Sequence, residues 1–184
     1  MQFNLFPEQR NKLLAEQFDL VIQSGSLVPP GGVAEGDAGV RDGQIRGFGA
    51  PGSLSGSEVI DSKGLHVSPG VIDTQVHFWE IGGEYKEDLV RGVAAAALGG
   101  VTNKCRIVKG YDSDFALVDM KSNWEITDGW IASKAGCTPY AGFKASAKPV
   151  AIIIRGKCIM GGGSLQSDPL GQPMKFHDTL LAGA

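Results

Sequence analysis

Apolar residues come in short runs parted by glycine, and most runs are too short for a helix and the right length for a strand. Phe18–Ile22 is the first such run; after the turn Ser24-Gly25-Ser26, Leu27-Val28 continues it until Pro29-Pro30-Gly31-Gly32 breaks the chain. Ala38–Val40 and Gln44–Phe48 flank Arg41-Asp42-Gly43, and Asp-Gly between two β runs is a strong hairpin signal. Glu58–Asp61 and Leu65–Val67 are predicted to pair around Ser62-Lys63-Gly64, which makes the chain up to Val67 an antiparallel β module. Val71–Val76 reads as a strand, apolar on both faces as a buried parallel strand is. A helix is predicted over 86–98, with Leu89, Val90, Val93, Ala94 and Ala97 on one side and Gly99-Gly100 as its stop. β character then returns in 105–108 and 115–119. Thr127 is placed to cap a short helix over 128–134, and Val150–Ile154 turns through Arg155-Gly156-Lys157 into Cys158–Met160. The glycine groups 31–32 and 161–163 match no phosphate-binding spacing and are read as turns.

Composition narrows the class. Of 184 residues, 42% are hydrophobic and 20% charged, the profile of a globular chain rather than a disordered one. A net charge of −3 gives no electrostatic reason to expect nucleic acid as a partner. Three cysteines, Cys105, Cys137 and Cys158, show no C-x-x-C spacing, which disfavours a zinc ribbon or disulfide framework and favours a reducing compartment. Met1–Gln17 is polar and lacks the apolar centre of a signal peptide, and no run approaches the roughly 20 apolar residues of a membrane span. A cytoplasmic location and no membrane partner are the expectations.

Candidate chemistry sits at the polar end of the Val71–Val76 strand. Alternation along a strand turns Asp73, Gln75 and His77 to one face. Phe18–Ile22 and Ile60–Asp73 on the N-terminal side, and Gly110–Asp119, Ser133–Gly142 and Ile154-Arg155-Gly156 on the C-terminal side, resemble the cyclic amidohydrolases, that is the dihydroorotases, allantoinases and hydantoinases of the metal-dependent hydrolase superfamily. The resemblance implies a mainly β chain: a composite β-sandwich built from both chain ends, plus one βα unit remaining from a (β/α)8 barrel. It places the sandwich in 18–67 and 104–165, the residual first βα unit in 68–103, an N-terminal extension in 1–17 and a tail in 166–184. A full barrel takes about 250 residues, so on this reading the remaining barrel strands are missing.

The family's ligands, usually for zinc, are two histidines on the first barrel strand, a bridging lysine, two further histidines and an aspartate. On this resemblance His77 matches a metal ligand, as a vestige of the site. Gln75 occupies the place of the first histidine, and a neutral amide is a poorer zinc ligand than imidazole. Trp79 stands where a substrate-gripping arginine is common, and an indole cannot pair with a carboxylate. A catalytic zinc site takes about three protein ligands, and His66 and His177 fit no ligand position. No catalytic residue and no cofactor are therefore expected in this chain, zinc being the family's. Asp73 is expected to hydrogen-bond nearby backbone, Lys134 to be structural, Cys137 to pack, and Cys105 and Cys158 to occupy apolar strand positions.

The implied function is a truncated, degenerate cyclic amidohydrolase serving as a binding or assembly module. The alternative is an active hydrolase of a hydantoin, allantoin or dihydroorotate ring, with ligands completed by another subunit. A strand 70–76 with unpaired edges also predicts a homo-oligomer joined through that strand or its helix.

Overall fold

The computed structural model describes residues 18–73, 82, 85, 88–101, 106–132 and 134–167. Nine strands form one sheet: β1 (Phe18–Leu27), β2 (Ala34–Arg41), β3 (Gln44–Gly49), β4 (Gly56–Asp61), β5 (His66–Pro69), β6 (Phe115–Asp119), β9 (Lys148–Ile154), β10 (Lys157–Gly161) and β11 (Ser164–Leu165). A separate ribbon pairs β7 (Trp124–Glu125) with β8 (Lys144–Ala145), and α1 (Leu89–Leu98) is the α-helix among the described residues. The fold is thus mainly β, with strands from both ends of the chain in one sheet.

The order runs β11-β10-β9-β6-β5-β1-β2-β3, with β4 beside β1. β1 joins the two halves by changing partner along its length. Its first part lies parallel to β4, Leu20 opposite Glu58, whereas Ser26 and Leu27 lie parallel to His66 and Val67 of β5. The predicted hairpin of 58–61 with 65–67 is therefore corrected: both strands pair in parallel with β1 instead of with each other. A parallel partner so distant in sequence leaves no local turn signal to read.

The change of partner requires a bulge. The β1–β2 register slips between Ile22 and Gly25, and Ser24 carries φ 59°. One extra residue reverses the alternation that follows it. Leu20 and Ile22 before the bulge thus share a core with odd-numbered Leu27 after it. Ser62 donates both its N–H (2.8 Å) and its Oγ–H (2.7 Å) to the Gln23 carbonyl, while the Ser24 N–H goes to Asp37 Oδ1 (2.8 Å). Gly25 is required here, since a Cβ would lie 2.5 Å from Val67 Cγ2 and 2.6 Å from Ser62 Oγ.

The main core gathers Leu20, Ile22, Leu27, Ala38, Val40, Ile45, Val67, Ile107, Phe115, Leu117 and Ile153. Alternation sends Phe115 and Leu117 of β6 into it and Ala116 to the opposite face. On that opposite face Ala116, Ile152, Ile154, Ile159 and Met160 form a second cluster with Ala97 of α1, and Leu98 packs against its side.

The other two hairpins read from the sequence are present. Asp42-Gly43 (φ 53° and 69°) joins β2 to β3, and Arg155-Gly156 (φ 49° and 74°) joins β9 to β10. Paired positive φ values mark the type I′ turn, whose twist suits flanking strands. The glycines at 32 and 161–163 lie in or beside turns, as expected.

α1 begins later than predicted, residues 86 and 87 lying outside the described set. Asp88 is its N-cap, Oδ1 accepting the Arg91 N–H at 2.7 Å. Its end is the expected glycine stop: Gly100 (φ 86°) donates to the Ala97 carbonyl and Val101 to the Ala96 carbonyl, the double closure of a Schellman motif. The predicted apolar side is only partly buried, Ala97 being covered while Leu89 and Val90 stay 44% and 66% exposed. The helix predicted over 128–134 shrinks to a 3₁₀ turn, Asp128–Trp130, with no side-chain cap from Thr127. Of the predicted 105–108 strand, 106–108 form no strand, although Ile107 is buried in the main core.

Candidate functional site

The stretch singled out by its chemistry leaves the sheet at β5. Gly70 donates to the Asp114 carbonyl (3.3 Å) and Val71 to the Gly100 carbonyl (3.0 Å), and Val71 bridges Val101 in parallel. Residues 70–73, α1 and Val101 therefore make a strand–helix–strand crossover of the kind a βα unit supplies. Among the described residues the predicted strand 70–76 is represented by this single bridge. Asp73 is exposed. Gln75, His77, Trp79, Cys105 and His177 all lie outside the described residues.

His66 sits on β5 opposite Val118, half-buried, its Nδ1 buried and unpartnered among the described residues. Cys137 is exposed, which corrects the expectation that it packs; it lies in a surface loop of consecutive exposed residues, 134–137. Cys158 is half-buried on β10, its Sγ–H reaching the Met160 carbonyl at 3.2 Å. Burial pushes its thiol up, and the Glu58 carboxylate adds to that, so it is a poor nucleophile. Among the described residues no three His, Cys, Asp or Glu side chains come together where they could hold a metal ion. The described residues do not fit a zinc centre.

What the buried polar residues do is bind backbone. Asp37 is fully buried, and its carboxylate accepts three N–H groups: Ser24 and Gly52 at Oδ1 (2.8 and 2.9 Å) and Leu54 at Oδ2 (2.9 Å). It fixes the β1 bulge to the turn before β4. Segment 110–114 joins the two hairpin ends. Ile45 donates to the Tyr111 carbonyl (2.8 Å), Gly110 to the Ile45 carbonyl (2.7 Å), and Ser113 gives both N–H and Oγ–H to the Gly43 carbonyl (3.0 and 2.9 Å). From the same segment, Asp114 Oδ1 accepts the Arg155 N–H at 3.0 Å and Asp112 pairs with the Arg155 guanidinium at 3.8 Å. Gly-Tyr-Asp-Ser-Asp thus serves to join the N-terminal and C-terminal strands. Sequence reasoning marked this segment for its resemblance but missed its role. Asp37 carried no local signal, its partners lying 13 to 17 residues away.

Lys134 pairs with Asp88, Nζ to Oδ2 at 2.5 Å, with the two side chains 34% and 25% exposed. The Lys134 ammonium and then the Arg91 N–H hold the Asp88 carboxyl below its usual range.

No family model matches the chain. It is similar over part of its length to a dihydroorotase of Geobacter metallireducens, 45% identical over 91 residues, which is 46% of this chain and 21% of that protein. An allantoinase of Bacillus licheniformis is 41% identical over 88 residues, 46% of this chain and 19% of its own. Among solved structures, an L-hydantoinase from Arthrobacter aurescens is 32% identical with a TM-score of 0.41, covering 47% of this chain and 20% of that one. An N-acyl-D-glutamate deacylase of Bordetella bronchiseptica, solved with zinc, is 35% identical with a TM-score of 0.30, covering 32% and 13%. The chain therefore carries a distant, partial match to dihydroorotases and allantoinases, with no closed barrel among its described residues. The matched stretch spans about a fifth of the curated relatives' length. No helix among the described residues is long and apolar enough to cross a membrane.

Proposed function

We propose that this chain is a degenerate cyclic amidohydrolase that acts as a binding or assembly module, without hydrolytic activity of its own. One observation carries the reading: the sequence stretch that would open a metal centre reads Asp73-Thr74-Gln75-Val76-His77, with an amide where the resemblance places an imidazole. The described residues agree with it, since their buried polar side chains Asp37, Ser62, Ser113 and Asp114 are turned to backbone groups. His77 is a vestige of a ligand set on this reading, and Trp79 leaves a substrate carboxylate without its partner. The purified chain, supplied with zinc, is expected to retain well under one equivalent after dialysis. It is also expected to open none of three rings: dihydroorotate, allantoin and hydantoin. Stoichiometric zinc together with turnover would establish the rival reading, a hydrolase completed by a second subunit.

Assembly is the positive half of the proposal. Val71, Leu89 and Val90 present apolar side chains to solvent around the crossover, surface that a monomer gains nothing by exposing. The chain is expected to form a homo-oligomer through the 70–76 stretch or α1. Light scattering after size exclusion at micromolar concentration checks this, and a monomer under those conditions would overturn it.

A further inference from the structure

The first turn of α1 and the segment between β7 and β8 are separate in sequence and are joined by the Asp88–Lys134 ion pair. At its C-terminal end the helix is seated by Ala97 and Leu98 on Ile152, Ile154, Ile159 and Met160. At its N-terminal end Leu89 and Val90 face solvent, so apolar packing does little to hold that turn down.

The segment carrying Lys134 is braced internally. Ile126 donates to the Phe143 carbonyl (2.9 Å), Gly142 donates to the Ile126 carbonyl (2.9 Å), and Asp128 Oδ1 accepts the Thr138 N–H (2.9 Å). It is tied to the sheet at its base, where Trp124 Nε1–H reaches the Ala147 carbonyl (2.9 Å) and Lys148 lies 5.2 Å from the Trp124 ring centre. Lys134 therefore extends from a braced platform, and Asp88 receives it on Oδ2 while Oδ1 caps the helix.

We propose that the Asp88–Lys134 pair is a releasable clip that holds the first turn of α1 to the 124–145 segment, so that opening it lets the helix pivot on its Ala97–Leu98 seat. The release is electrostatic. The pair is partly open to solvent, so ions screen it, whereas the apolar seat is insensitive to moderate salt.

Hydrogen exchange read by mass spectrometry on the full chain tests this with two variants. Lys134→Met removes the ammonium. Asp88→Asn removes the charge but keeps an equally good N-cap. In low salt both variants are expected to exchange about two- to fivefold faster than the parent in peptides covering 89–94 and 134–142, the range an exposed pair supports. Raising sodium chloride from ~20 mM to ~1 M, where the Debye length falls to about 3 Å, is expected to accelerate those peptides in the parent and leave the variants unchanged. Peptides from β1 and from β9–β10 serve as the internal control and stay constant. Unchanged rates in the variants, a salt response that survives in them, or equal acceleration of the β1 and β9–β10 peptides would each overturn the clip.

Discussion

Replacing Asp37 with alanine is expected to cost the fold about 3–5 kcal/mol, because three backbone N–H groups lose their acceptor at once and one of them, that of Leu54, is buried. The residue is fully buried, and its bonds to Ser24, Gly52 and Leu54 hold the β1 bulge to the turn that starts β4. Losing it should free the bulge to slip, and a slip of one residue would turn the side chains of β1 to the wrong face. At about 2–4 °C per kcal/mol for a chain of this length, the midpoint of thermal unfolding should fall by roughly 10 °C. Asp37→Asn should fall between the two, since the amide keeps one oxygen for two of the donors and sets its own N–H₂ against the third. A melting temperature for Asp37→Ala within about 2 °C of the parent would show that the carboxylate does not fix the bulge.

Truncating Phe115 to alanine should be as damaging, about 3–5 kcal/mol, through the cavity it leaves. Phe115 is fully buried in the core that both chain ends share, opposite Pro69 on one side and Ile153 on the other. Folded proteins carry only about 5–15 kcal/mol in total, so loss at this seam should loosen N-terminal and C-terminal strands together. Val33→Ala, exposed in the loop before β2, should stay within about 0.5 kcal/mol and serves as the control. Urea unfolding of both variants, with Ile153→Ala and the double substitution, measures the coupling across the seam. Strictly additive effects of Phe115 and Ile153 would mean that the two rings of contact do not share one cavity.

The parts of the fold legible in the sequence are those whose cause is local. Asp42-Gly43 and Arg155-Gly156 declare their hairpins because positive φ at two successive residues demands particular residue types. Gly100 declares the end of α1 because its φ of 86° suits glycine. The partner of β4 was not legible, since its parallel neighbour β1 lies across the whole β2–β3 hairpin. The bulge at Ser24 was hidden because the residues around it read as a simple turn, and without it the parity of Leu27 looks inconsistent with Leu20 and Ile22. The start of α1 could have been placed better, as Asp88 before an apolar periodic stretch is an N-cap signal. Of the candidate site, Gln75 and Trp79 lie outside the described residues, and reading them as departures rests on the resemblance and on residue type alone.

The adjacency of β5 and β6 has a consequence for how such chains can vary. Ser68 faces Ala116 and Pro69 faces Phe115, so the polypeptide departs from the sheet and re-enters it at neighbouring doors. Whatever lies between is a detour whose ends are already stapled together, and each doubling of its length adds only about 0.6 kcal/mol of closure entropy. A sheet wired in this way can carry a long excursion or a short one on the same frame, so the size of the excursion can drift while the sheet keeps its register.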